Sequence, residues 1–197
     1  MNNMLPASVW KEAEEKNVSV HQLLCSRIER PWENTVMAVD RWNGSRNAPC
    51  DLSLAGAFAG LRLSSGPEDI YLALLQSIVC GTREIIECCA SYGLKIRRLV
   101  ATGGLAMKNP LLMQEYANFL HMPVQVGQVA EGPALGSAML AATAAGFYDH
   151  PLEASRAMGV NEFLTYEPDE SHYEAYEKLY RKNHALRVMT AELEHME

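Results

Sequence analysis

Short unbroken apolar runs alternate along the chain with longer segments whose apolar residues recur every three or four positions. That alternation predicts strands and helices in turn. Pro6 and Ser8 open an amphipathic segment reaching Lys16, and Ser19 stands where it can cap a second one carrying Val20, Leu23, Leu24 and Ile28. Residues 5–30 are therefore expected to form a helical hairpin. Thr35-Val36-Met37-Ala38-Val39 is a strand-type run ending at Asp40. The stretch from Arg41 to Asn47 after it is polar, aromatic and turn-forming. Its Asn43-Gly44 pair suits a hairpin loop at least as well as a ligand-facing one. Leu52 to Leu63 alternates and holds Gly56 and Gly60, predicting a strand with a close backbone approach.

Ser65-Gly66-Pro67-Glu68-Asp69 is a strong helix start, with Pro at the first helical position and acids in the first turn. Ile70, Leu74, Ile78, Gly81, Ile85 and Cys88 mark the face that helix is expected to bury, and Gly93 its end. Arg98 to Ala101 reads as a buried strand running through Gly103-Gly104 and a short polar turn into a helix that begins at Pro110. Leu112, Tyr116 and Leu120 are its expected apolar face. Val124-Gln125-Val126 is another strand. Glu131-Gly132-Pro133 starts a helix of small residues, whose Gly132 and Gly136 imply close packing against the Gly103-Gly104 strand end. Helix, strand, helix, strand, helix predicts parallel strands joined by right-handed crossovers.

After Gly146 the pattern gives a short helix near Leu152 to Met158, a linker, and a last helix from about Asp169. Tyr173, Tyr176, Leu179, Tyr180 and Leu186 form its apolar stripe; Lys178, Arg181 and Lys182 mark the solvated side. The expected organisation is one lobe over 1–197, with a helical hairpin at 5–30, an α/β core at 35–147 and C-terminal helices at 148–197. No internal repeat interrupts it.

Composition narrows the classes. A net charge of -7 without a Lys/Arg run argues against nucleic acid as a partner. The longest apolar run, Pro133 to Phe147, is too short to span a bilayer, so no membrane role is expected. No secretory signal is visible at the N-terminus. A cytoplasmic protein is expected. Five cysteines without a Cys-x-x-Cys pair fit buried thiols in a reducing compartment, and no metal-ligand spacing is present.

Adjacent glycines at a strand end let a flat or charged ligand approach the main chain. Gly103-Gly104 by itself is better explained as a ligand-free turn. Two further stretches change that balance. Gly56-Ala57-Phe58-Ala59-Gly60-Leu61, seven residues, then Asp69-Ile70-Tyr71-Leu72-Ala73-Leu74-Leu75-Gln76 resembles the C-terminal signature of the FGGY carbohydrate kinases, with Leu74 departing from it. Thr102-Gly103-Gly104 through Gln114, followed by Ala134-Leu135-Gly136-Ser137-Ala138, is similar to that family's adenosine-binding segment. Asp40 to Arg46 and Tyr176-Glu177-Lys178-Leu179-Tyr180 most resemble ribulokinases within the family. The likeness runs from about Leu5 to the C-terminus.

The resemblance implies an α/β, ribonuclease H-like (actin-like ATPase) lobe, incomplete at its N-terminus and with added helices at both ends. It implies the ATP-binding part of a sugar kinase that phosphorylates L-ribulose or a related pentulose, with ATP and Mg2+ as cofactors. By motif position Gly103 and Gly104 would lie against the nucleotide's adenosine or α-phosphate. Leu105 and either Lys108 or Asn109 would flank the adenine, and Asn43 and Gly44 would face the phosphates. The Asp that deprotonates the sugar and the Gly-Thr-rich phosphate hairpin of such kinases find no match before residue 36. The chain is thus expected to be inactive without an N-terminal lobe, and no catalytic residue is nominated; Asp40 and Asp69 need only structural roles. The alternative is a non-catalytic interaction module that docks on a separate N-terminal lobe or self-associates.

Overall fold

The computed structural model describes residues 5–47 and 50–196. In chain order the elements are α1 (Ala7–Glu15), α2 (Val20–Ser26), a 3-10 turn (Pro31–Glu33), β1 (Met37–Val39), β2 (Ala57–Ala59) and α3 (Pro67–Ser91). There follow β3 (Leu99–Ala101), α4 (Gly104–Lys108), α5 (Pro110–Leu120), β4 (Val124–Gly127), α6 (Gly132–Ala144), α7 (Pro151–Met158), β5 (Phe163–Tyr166) and α8 (Tyr173–Glu194). They form two compact units, Met1–Leu94 with Ser171–Glu197, and Lys95–Glu170. No helix among the described residues is long and apolar enough to cross a membrane.

In the first unit, α1 and α2 form the expected hairpin. The Ser19 hydroxyl accepts from Gln22 N (3.2 Å) while the Gln22 side chain accepts from Ser19 N (2.9 Å), a closed capping box at the start of α2. Arg27 of the α2 end pairs with Glu12 of α1. β1 and β2 pair antiparallel, Met37 opposite Ala59 and Val39 opposite Ala57. Of the strand expected over residues 52–63 only these three residues remain. The Asp51 carboxylate folds the preceding chain by accepting from Ser53 N (2.9 Å) and Oγ (2.6 Å). Gly60 ends the strand at φ +79°, with its hydrogen against the Thr35 carbonyl.

Helix α3 begins where the pattern predicts. Asp69 accepts from Gly66 N at 2.9 Å, the structural role expected of it, and Gly93 stops the helix at φ +80°. Its buried face differs from the expectation. Leu72, Ala73, Gln76, Ser77, Val79 and Cys80 are buried, whereas Ile78 and Ile85 are 39% and 40% exposed and Cys88 is exposed. The first half of α3 is apolar around most of its circumference, so periodicity leaves the face open. Its neighbours β1, α2 and α8 choose it. Burial raises the Cys80 thiol pKa well above its ordinary value. Cys50 and Cys88 are exposed, against the expectation of buried thiols, and none of the five is in a disulfide.

Helix α8 lays Tyr176, Tyr180, Asn183 and Arg187 into the unit, a stripe at i, i+4, i+7 and i+11. Tyr176 and Tyr180 match the expectation, while Tyr173 is 40% exposed and Leu179 and Leu186 are half-buried. Polar groups complete the stripe. Asn183 donates to the Ala38 carbonyl of β1 (2.8 Å), and Arg187 donates to Asp40 (2.7 Å) and Glu84 (2.9 Å). Arg83 of α3 bonds Glu177 (2.5 Å) and lies 3.9 Å from the Tyr180 ring centre.

The Tyr180 hydroxyl donates to Glu87 at 2.5 Å. Burial first, then this bond, hold the phenol protonated and raise its pKa. Unfolded tyrosine ionises near pH 10, so the unfolded chain binds fewer protons above that pH and stability falls as pH rises through the window. Urea unfolding between pH 9 and 11 should show this group's slope of up to about 1.4 kcal/mol per pH unit. Tyr180→Phe should remove that part of the slope, and an unchanged slope would contradict the assignment.

In the second unit β3 and β4 are parallel, Leu99 opposite Val124, as expected. The added strand β5 runs antiparallel to β4, Val124 opposite Tyr166, where the pattern predicts a linker. The four residues of Phe163–Tyr166 are too few to show a period. α5 packs on β4 and β5 and buries Leu112, Met113, Ala117 and Phe119; Tyr116 and Leu120 are only half-buried. Asn118 accepts from Gln114 (2.9 Å) and Asp169 N (2.9 Å), tying the chain after β5 to α5. β3 is not the buried strand expected, since Val100 is 40% exposed. Among the described residues α6 buries none, and it packs on α7.

Candidate functional site

The end of β3 builds the turn that the Gly-Gly pair predicts. Gly103 sits at φ 90°, ψ 176°, a region open only to glycine, and starts α4. What reads in sequence as a short polar turn is this one-turn helix. Asn109 ends α4 and caps α5, its side chain accepting from Leu112 N at 3.0 Å, and it is buried at 7% exposure. Gly104, Leu105 and Lys108 are exposed on the same turn, Leu105 by 65%.

The two adjacent glycines have different reasons. Gly103 is required by its backbone conformation, although nothing lies within 4 Å of where its Cβ would stand. Gly104 has ordinary helical geometry and also open space at its Cβ, so neither the backbone nor a neighbour among the described residues demands glycine there.

Thr102, just before the pair, joins this turn to α6. A Cβ on Gly132 would stand 3.0 Å from Thr102 Cβ, which supports the expected close approach at that glycine. Gly136 has open space instead, contrary to the expectation. The pattern predicts the close approach of Gly132 to this strand end, and the structure supplies Thr102 as the residue it meets.

Asn43 and Gly44 belong to the first unit. Gly44 is at φ +70°, and a Cβ there would stand 2.6 Å from Leu52 Cα, so the loop itself requires glycine. Asn43 is exposed beside it. They line a cleft with Arg41, Asp40, Gly81 and Arg187. Arg187 was missed because a basic residue near the end of a charged helix reads as solvated; continuing the Tyr176, Tyr180 stripe by seven residues finds it. Asp40 has the structural role expected, as the partner of Arg187.

The chain is similar to known proteins over most of its length. Residues 7–145 match the FGGY family of carbohydrate kinases, C-terminal domain. A ribulokinase of Halalkalibacterium halodurans is 40% identical over 182 residues, covering 89% of this chain and 32% of that enzyme. One from Anoxybacillus flavithermus is 40% identical over 184 residues, 90% of this chain and 33% of that one. The crystal structure of a xyloylose kinase from Brucella ovis superposes with a TM-score of 0.76 at 22% identity, covering 95% of this chain and 38% of that one. The chain spans about a third of the length of the curated relatives it matches. With the match extending over most of its length, the chain belongs to the FGGY family of carbohydrate kinases, as that family's C-terminal domain.

Proposed function

We propose that this chain is the nucleotide-holding part of a ribulokinase-like sugar kinase, in which ATP phosphorylates L-ribulose or a related pentulose. The observation that carries this reading is Gly104: a glycine that neither conformation nor packing requires, on an exposed turn beside an exposed leucine. A flat purine lying on the bare main chain accounts for it. In this reading Gly103 and Gly104 form the adenosine wall, and Leu105 lies along the adenine edge. Lys108 is the second flanking residue rather than Asn109, whose side chain is occupied in capping α5. In the first unit, taken by itself, Asn43 and Gly44 are assigned to a loop that contacts phosphate. The lobe type is ribonuclease H-like, supported by the parallel β3–β4 pair with helices between and after them.

Phosphoryl transfer needs a base for the sugar hydroxyl and charge neutralisation around the phosphates. Asp40 is held by Arg187 and Asp69 by the α3 cap, so neither is free to act as the base. Among the described residues no cluster of three acidic, histidine or cysteine side chains is placed to hold a metal ion. The base and the metal site are assigned to residues outside the chain.

Thermal unfolding with MgADP or MgATP tests the reading. A ligand at 100 times its dissociation constant stabilises by about 2.7 kcal/mol and raises Tm. No shift at millimolar nucleotide would count against a site held by this chain. A coupled assay with L-ribulose should show no turnover by the chain alone, and clear turnover would overturn the placement of the base elsewhere.

A further inference from the structure

The cleft of the first unit gathers guanidinium groups whose donors its carboxylates, Asp40 in the lining and Glu84 and Asp51 nearby, do not all take up. About 410 Å3 lies between the 40–47 loop and the middle of α3. Three guanidiniums, those of Arg41, Arg46 and Arg187, line it against a single carboxylate, Asp40. Arg187 is 5% exposed and commits Nη1 to Asp40 and Nε to Glu84. Its Nη2 has no hydrogen-bond partner among the described residues and lies over Gly81, where a Cβ would stand 2.7 Å away. Arg41 donates Nη1 to the Arg187 carbonyl at 2.9 Å and has no carboxylate within hydrogen-bond reach among the described residues. Burial, and next the charge of Arg187, lower the Arg41 pKa, although Glu84, Asp40 and Asp51 act the other way.

We infer that this cleft binds a phosphate group, held between Arg41 and the buried Arg187. Guanidinium forks match the tetrahedral oxyanion through paired N–H donors, and a phosphate ester with about two negative charges answers two cations where a carboxylate answers one. Asp40 and Glu84 fix the Arg187 guanidinium and leave its free nitrogen toward the cleft. Exposed Trp42 and Ile78 on the same wall give the body that carries the phosphate an apolar surface. The inference rests on the reading above that Asn43 and Gly44, which line the same cleft, face phosphate; it uses only first-unit residues and none of the Gly103-Gly104 turn.

Titration of the chain with inorganic phosphate, followed by calorimetry against sodium chloride at matched ionic strength, tests it. Saturable binding is expected, weakened tenfold or more by Arg41→Gln, since a hydrogen bond between charged groups is lost. Thr82→Glu, which adds a negative charge to the cleft wall without touching either arginine's partners, should weaken it as much. Gly104→Val should leave it unchanged. Absence of saturable binding, or an affinity in both cleft variants equal to that of the unaltered chain, would overturn the site. Two sources of the phosphate are separated by adding MgADP: displacement of bound phosphate assigns it to a nucleotide's tail, and simultaneous binding assigns it to a separate phosphorylated molecule.

Discussion

Replacing Arg187 by alanine should destabilise the first unit by about 3 kcal/mol, because truncating one partner of a buried ion pair leaves charge without compensation. The value falls at the low end of the usual range because Asp40 and Glu84 keep about a quarter of their side-chain surface in water, 28% and 25%, and can be rehydrated. Burial works against the Arg187 charge, yet Glu84 and Asp40 outweigh it and raise its pKa. The arginine therefore stays charged, and alanine removes a group that joins β1's end, α3 and α8. All three tryptophans, Trp10, Trp32 and Trp42, lie in this unit, so their fluorescence in a urea titration reads its unfolding directly. A loss below about 1 kcal/mol would place the pair among surface contacts, where such values are usual.

Gly104→Val should abolish the nucleotide-dependent rise in Tm while leaving the fold intact. A hundredfold loss of affinity cuts the stabilisation at 100 times the original dissociation constant from about 2.7 to about 0.4 kcal/mol. The valine meets open space in the unliganded chain, so the variant without nucleotide should melt close to the unaltered protein. Gly103→Ala is the contrasting change. It should cost about 1–3 kcal/mol with or without nucleotide, because the alanine must adopt a backbone region it disfavours. A retained nucleotide shift in Gly104→Val would remove the purine from this turn.

Local signals carried much of the organisation. Ser19, Pro67 with Asp69, Gly93 and Pro110 mark helix ends correctly because capping is decided within four residues. Family resemblance, resting on Gly56 to Gln76 and Thr102 to Gln114, was also legible, since those motifs are contiguous. The errors share one cause. The buried face of α3, the strand β5, the exposure of β3 and the open space at Gly136 all depend on what packs from elsewhere in the chain.

The candidate sites divide in the same way. The positions of Gly103 and Gly104 at a strand end could be read from residue order alone, because a strand, two glycines and a proline-initiated helix state a turn locally. Why each glycine is there could not, since one answers to a dihedral angle and the other to an empty volume. Arg187 is the clearest case. It lies 147 residues from Asp40 in sequence, and only the packing of α8 on β1 and α3 brings their charges to 2.7 Å. Sequence determined the longer helices, which motifs they carry and which family they belong to, because these follow from short-range backbone and side-chain chemistry. Tertiary structure alone decided which faces are buried and which charges meet, because burial and Coulomb energy depend on distance in space.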